Sequence, residues 1–337
     1  MNAKVFLILE AFVLLAGCAS KPSGIADITK EDGSLTWTAV ADSTFTENIN
    51  GIAYGNGRFV AVGVSGRMAY SLDGVTWKAV VDSKFGAIEI YDVAYAEGKF
   101  IAVGGAGQET MMRTIKAYSN DGITWTAILD NYTRSWGLPE NKSIAYGNGK
   151  WVVGMSWDDM AYSTNGETWT TISTGNGETK GIAFGSGKFV AVGTKSQTIR
   201  PIVYSADGIA WTSVDHKIFD GSINAIVYAN GKFIAGGENG KMAYSKDGIT
   251  WAEISDSQFP GNRIDSIVYG AGKFVAVGTA SKIAYSEDGI TWTAMATNEI
   301  PFPDNYPTGN IYSIVYGGGR FVVVGAGGII AYSNIQG

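Results

Sequence analysis

The sequence predicts an all-β fold, a seven-bladed β-propeller of four-stranded blades whose ring is closed by the N-terminal strand completing the last blade. Three observations predict it. A unit of the form IAYGNGRFVAVGVSGRMAYSLDGVTW starts at Ile52, Val93, Ile144, Ile182, Ile226, Ile267 and Ile314. Its tryptophans, Trp37, Trp77, Trp125, Trp169, Trp211, Trp251 and Trp292, recur about every 40 to 48 residues, the period of a propeller blade. The two ends are also complementary: DGSLTWTAV from Asp32 has no three strands before it, and the last unit stops at IIAYSNIQG without its fourth strand. Each end supplies what the other lacks, so closing the ring leaves no free sheet edge.

Within a unit, IAYG alternates toward a first strand and a Gly-containing pair such as Asn56-Gly57 makes a tight turn. RFVAVG follows as an apolar second strand, MAYS is the third, Asp-Gly turns again, and TWKAV is the fourth. The Asp at that second turn can accept backbone N–H bonds, the Gly can take a left-handed conformation, and the Trp offers a large apolar face to a neighbouring blade. No helical period appears after the first residues. The 46 glycines and few prolines suit a turn-rich β protein.

The ends bound the location. MNAKVFLILEAFVLLAGCAS has one basic residue, Lys4, then an apolar run too short to span a bilayer, the layout of a secretory signal. Leu15-Ala16-Gly17-Cys18 resembles the lipobox of bacterial lipoproteins, in which the cysteine is lipidated and becomes the mature N-terminus; Glu10 departs from the usual apolar run. Cys18 is the only cysteine, which excludes an intramolecular disulfide. The expected organisation is residues 1–17 as lipoprotein signal peptide, 18–31 as lipidated Cys18 and tether, and 32–337 as the propeller. The expected location is the bacterial cell envelope, at the outer membrane or cell surface, with the membrane met through the lipid anchor. The net charge of −6 gives no clustered basic surface, so nucleic acid is not an expected partner.

Cofactor and metal chemistry find little footing. Acidic turn residues spread around a ring cannot converge on one ion, and Gly55-Asn56-Gly57 is a hairpin turn with no helix after it to hold a phosphate. His216 is the only histidine and sits in the variable DHKIFDG connection, where it reads as a surface residue. No cofactor, metal or catalytic residue is assigned.

In a repeat protein the specific features lie where the repeats differ. Most connections between blades share DSTF, DSKF, DSQF or DHKIF, whose Phe45, Phe85, Phe219 and Phe259 read as blade packing. The departures cluster in blades two to four: GGAGQETMMRTIK, DNYTRSWGLPENKS, GMSWDDM and GTKSQTIRP. They bring Arg113, Arg134, Trp136, Trp157, Asp158, Asp159, Lys195 and Arg200 toward one sector of one face. Of these, Arg113, Arg134, Trp136, Trp157, Asp158, Asp159 and Arg200 are the candidate ligand- or partner-binding residues. Aromatic faces beside acidic and amide groups suit a carbohydrate or a protein epitope. A second long connection, ATNEIPFPDNYPTGNIY, carries Phe302 and Tyr306.

The string AYSLDGVTW and its copies resemble the Asp-box, or BNR repeat, of sialidases and related propellers, with Asp and Gly adjacent rather than separated and with Asn165 in one copy. That resemblance implies the propeller fold, with the box as a structural turn on the face away from any active site. Sialidases hold the substrate carboxylate with three arginines, use a Tyr and Glu pair as nucleophile and an Asp as acid/base. Here Arg58 and Arg320 occupy turn positions held by Lys in most blades, the family's Arg-Ile-Pro is missing, and Ile199-Arg200-Pro201 is in the wrong blade and order. The expected function is therefore a noncatalytic, lipid-anchored propeller presenting a loop face to a protein or carbohydrate ligand at the envelope surface, with a sialidase-like exo-glycosidase as the alternative. The repeat also resembles that of photosystem II stability factors, noncatalytic propellers, which gives an envelope assembly factor as a third reading.

Overall fold

Seven four-stranded antiparallel sheets carry the described chain. The computed structural model describes residues 35–105, 116–128, 139–175, 177–194, 201–295, 300, 302 and 309–334. Blade one runs Ile49–Gly55, Arg58–Gly63, Met68–Ser71 and Lys78–Ala79 from the centre outward. The inner strands of the next six blades are Glu89–Ala96, Asn141–Gly147, Thr179–Gly185, Ile223–Ala229, Ile264–Gly270 and Ile311–Gly317. Each inner strand packs against the next, and that of blade seven packs against that of blade one. Thr36–Ala39 supplies the outer strand of blade seven by pairing with Ile330–Asn334, Trp37 opposite Ser333 and Ala39 opposite Ala331. Closure by the N-terminal strand is the observed topology.

The second strands explain the shape. In RFVAVG and its copies every residue after the first is buried, on both faces of the blade. Alternate side chains therefore pack against the preceding and following blades rather than against one core. Trp125 of blade two is 2% exposed and lies in one cluster with Val60, Val62 and Met68 of blade one; Trp77 packs with Val322 and Val324 of blade seven. Trp37, Trp77, Trp125 and Trp292 are buried, whereas Trp169, Trp211 and Trp251 are half-buried.

The Asp-Gly turn sets where each tryptophan points. Ser71 Oγ accepts the Gly74 N–H at 2.8 Å, and Asp73 Oδ1 accepts the Val75 and Thr76 N–H groups, each at 2.8 Å. Partial burial pushes the Asp73 carboxyl up, but these N–H donors outweigh it and hold it at about 2. Asn165 fills the same role with one oxygen, accepting from Glu167 and Thr168 at 2.9 Å, which is why the substitution is tolerated. Gly74, at φ +74°, is the favoured residue there, because a side chain would be strained in that conformation and its Cβ would crowd Val322 Cγ2 at 3.0 Å and Phe59 at 3.2 Å. On the same face Lys99, Lys188 and Lys232 donate to the carbonyls of Asn165, Asp247 and Asp288 in the following blade, at 2.9, 2.9 and 2.6 Å. The basic residue of that turn is thus a clasp between blades.

The opposite face carries the inter-blade connections. Phe45, Phe85, Phe219 and Phe259 are buried there as expected. The Ser two residues before three of them ties the connection to the blade: Ser43, Ser83 and Ser257 donate to the carbonyls of Gly328, Gly66 and Gly240, at 2.6, 2.7 and 2.6 Å. His216 is not simply on the surface, since its ring meets Phe219 edge-on at 5.6 Å and is half-buried.

Candidate functional site

All seven inner strands break register at the same place. The shift falls between Ile49 and Gly51, Ile90 and Asp92, Asn141 and Ser143, Thr179 and Gly181, Ile223 and Ala225, Ile264 and Ser266, and Ile311 and Ser313. A β-bulge leaves one residue unpaired and re-aims its side chain. The residues so placed are Asn50, Tyr91, Lys142, Lys180, Asn224, Asp265 and Tyr312, and all seven line one cavity of about 170 Å³ at the mouth of the central channel. In six of the blades a glycine at the end of the second strand makes room for the bulge, whereas in blade three that place is held by Met155: a Cβ on Gly193 would lie 1.9 Å from Glu178 O, and one on Gly278 1.9 Å from Arg263 O.

The bulged residues are held in three groups. In blades one to three, Asn50 Nδ2 donates to Glu89 Oε1 and to Ile90 O, both at 2.9 Å. Tyr91 donates its hydroxyl to Glu140 Oε1 at 2.9 Å, Lys142 Nζ lies 2.6 Å from Glu140 Oε2, and the same ammonium sits 3.6 Å from the centre of the Tyr91 ring. Burial and then the Glu140 acceptor push the Tyr91 phenol above its ordinary range, so it stays protonated. In blade six, Arg263 clamps Asp265 through two hydrogen bonds, Nε to Oδ1 and Nη2 to Oδ2, the latter at 3.2 Å. In blades four and five, Lys180 Nζ donates to Asn224 Oδ1 at 3.2 Å.

Asp92 lies beside this ring. Its Oδ1 accepts the Val93 N–H at 2.8 Å and its Oδ2 the Ile144 N–H of blade three at 3.0 Å. Burial dominates those two bonds and raises the carboxyl to about 7. The folded state therefore holds a proton between about pH 4 and 7 that the unfolded chain has released, and stability falls as pH rises through that window. We expect Asp92→Asn, which keeps the neutral form, to gain about 2 to 4 kcal/mol on the wild type between pH 5 and pH 8, read by urea denaturation at each pH. Parallel curves for the two proteins would contradict it.

The sequence-predicted residues distribute differently. Trp157 is 48% exposed, on the turn between the second and third strands of blade three, with φ +61° where the equivalent positions hold Ser65, Asn239, Ala280 and Gly327. A bulky residue in that left-handed conformation is unusual. Asp158 is committed locally: its Oδ1 accepts the Gly177 N–H at 2.6 Å and its carbonyl accepts from Thr174. Asp159 is buried at 1% exposure on the third strand, facing away from solvent. Arg113, Arg134, Trp136, Lys195, Arg200, Tyr306 and Cys18 lie outside the described residues. Ser156 joins the Trp157 turn to the ring, its N–H donating to Glu140 O at 2.9 Å and its hydroxyl accepting the Glu140 N–H at 3.0 Å.

The sequence-predicted residues do not include the ring. The signal was present: in INGIAYG, IYDVAYA, NKSIAYG, TKGIAFG, INAIVYA, IDSIVYG and IYSIVYG the second residue is Asn, Tyr, Lys, Lys, Asn, Asp and Tyr in turn, while the fourth stays Ile or Val.

A family model described as a DUF6242 beta propeller domain matches residues 154–320. No curated protein matches the chain in sequence. Among solved structures it is similar to YCF48 bound to a D1 peptide, with 18% identity, 90% of this chain and 95% of that chain covered and a TM-score of 0.65. YCF48 from Cyanidioschyzon merolae gives 17%, 89%, 98% and 0.64 in the same order. Catalytically inactive virginiamycin B lyase from Staphylococcus aureus with quinupristin gives 10%, 90%, 100% and 0.70. The chain is thus a seven-bladed β-propeller of four-stranded antiparallel blades, with residues 154–320 matching the DUF6242 beta propeller domain.

Proposed function

We propose that the protein is a noncatalytic binding propeller of the bacterial cell envelope, anchored through Cys18, which receives the tip of a protein or glycan ligand in the mouth of its central channel. The observation that carries the reading is the ring of seven bulged residues, since the fold spends its one repeated irregularity on aiming seven non-repeated polar side chains into one cavity. Trp157 extends the site outward as an exposed aromatic anchor on the same face. The turn geometry at Asp73 and its copies supports the resemblance to Asp-box repeats, with those turns serving as blade clasps on the other face. The Leu15–Cys18 lipobox and the solitary cysteine support export and anchoring. One similar structure, YCF48, is described with a bound peptide, and a peptide-sized ligand at the mouth agrees with that precedent.

The glycosidase alternative has one observation behind it, the Tyr91–Glu140 pair. Its counterpart set is incomplete among the described residues: the cations at the mouth are Lys142, Lys180 and Arg263, and the last is clamped on Asp265. A phenol whose ionisation is disfavoured is also a poor nucleophile. The test uses the full chain carrying Cys18→Ser, screened on a glycan array and a displayed-peptide library and assayed with a fluorogenic sialoside. The expected result is saturable binding with no turnover. Turnover abolished by Glu140→Gln would replace the binding reading with the enzymatic one, and saturable binding to neither collection would remove it.

A further inference from the structure

The ligand of the channel mouth can be narrowed to a chemical class, on the binding reading above. Bound partners remove most hydrogen-bonding capacity from the ring. Asn50 is spent on Glu89 and Ile90, the Tyr91 hydroxyl and Lys142 on Glu140, and Asp265 on Arg263. Both Asp92 oxygens accept backbone N–H groups.

Unused donors remain, concentrated in blades four, five and seven. The Lys180 ammonium has three protons and one hydrogen-bond partner, Asn224 Oδ1, while the Asp265 carboxylate across the cavity acts on it only through space. Orienting Asn224 Oδ1 toward Lys180 turns Asn224 Nδ2 the other way, and that nitrogen is shielded from solvent with no hydrogen-bond partner. A buried amide donor left unmade is costly, so its neighbourhood is built for an acceptor. The Tyr312 hydroxyl, on the same cavity wall, has no described hydrogen bond. A half-buried cation, an amide N–H and a phenol on one small cavity are complemented by a planar anion with two acceptor oxygens, the Asp265 carboxylate on the same cavity being already clamped by Arg263.

We propose that the channel mouth binds a carboxylate, seated on Lys180 Nζ with Asn224 and Tyr312 beside it. Such a group reaches an envelope protein as an acidic sugar or as the C-terminus of a polypeptide, and both are small enough at the tip to enter a cavity of about 170 Å³. The lysine seat is the specificity element; charge-assisted hydrogen bonds in a partly dry site carry the discrimination between an acid and its neutral counterpart.

The experiment pairs each acid with a neutral partner. D-Glucuronate is titrated against D-glucose, and trialanine with a free C-terminus against trialanine amide, into the Cys18→Ser full chain by calorimetry. At least one acid is expected to bind about tenfold or more tightly than its counterpart. Which pair shows the difference identifies the source. Lys180→Met is expected to abolish the discrimination at an unchanged melting temperature, since Lys180 makes one hydrogen bond in the fold; Lys246→Met, at an exposed lysine of the opposite turn face, is expected to keep it. Equal binding of acid and neutral members, binding of neither acid, or discrimination surviving in Lys180→Met would each overturn the proposal. Neutral sugar binding that is lost in Tyr312→Ala would remove the carboxylate and leave the channel as the binding site.

Discussion

Deleting residues 35–40 is expected to destabilise the propeller by several kcal/mol, the largest effect of any change of that length. Thr36–Ala39 closes the ring, and its loss strips Ile330–Asn334 of the backbone partners on its outer side, leaving only its pairing with Arg320–Gly325. It also removes Leu35 and Trp37 from a cluster that includes Val277 and Met295 of blade six and Val323 of blade seven. Two further ties depend on the same segment or continue it: Val40 N–H to Ile330 O at 2.8 Å, and Ser43 Oγ to Gly328 O at 2.6 Å. Thermal and urea unfolding of the deletion variant measure the cost. Trp37→Ala, which leaves the strand in place, is expected to lose about 3 to 5 kcal/mol by itself. A deletion variant that unfolds with the parent would show that the ring does not need this strand.

Trp125→Ala is the second large effect. The indole is 2% exposed and fills the seam between blades one and two against Val60, Val62, Met68 and Phe100. Truncation leaves a cavity bounded by second strands that are hydrogen-bonded on both sides and cannot collapse into it, for a cost of about 3 to 5 kcal/mol. Trp251→Ala is expected to cost less, because Trp251 is half-buried at its own seam and keeps part of its surface in water. Equal losses at Trp125 and Trp251 would contradict the account of the seams.

The two tryptophans mark how far the sequence could be read. Their spacing gave the blade count and their chemistry gave the packing role, because both follow from a repeat in which local turn preferences and long-range packing agree. It did not distinguish a buried copy from a half-buried one, since all copies carry much the same local turn sequence. The channel ring was hidden for a different reason. A bulge is a change of register, and INGIAYG alternates equally well as a regular strand until the carbonyl of Asn48 is seen crowding Gly63, 2.3 Å from where its Cβ would be. The insertions of blades two to four drew attention instead because they are long. Of the residues they suggested, Trp157 stands exposed on the turn between two strands of blade three, Asp158 caps a turn and Asp159 is buried.

The division of labour between repeated and non-repeated residues is the central claim: seams carry stability, and the bulge ring carries binding. The most direct measurement compares melting temperature and ligand affinity for one variant carrying Asn224→Ala and Tyr312→Ala together, using whichever array or library ligand the wild type binds. The account predicts a melting temperature close to that of the wild type with affinity reduced by about 2 kcal/mol or more, because both side chains face the channel and neither belongs to a seam cluster. Affinity unchanged in this variant, together with loss of binding in a variant of the opposite face such as Leu72→Ala, would contradict it.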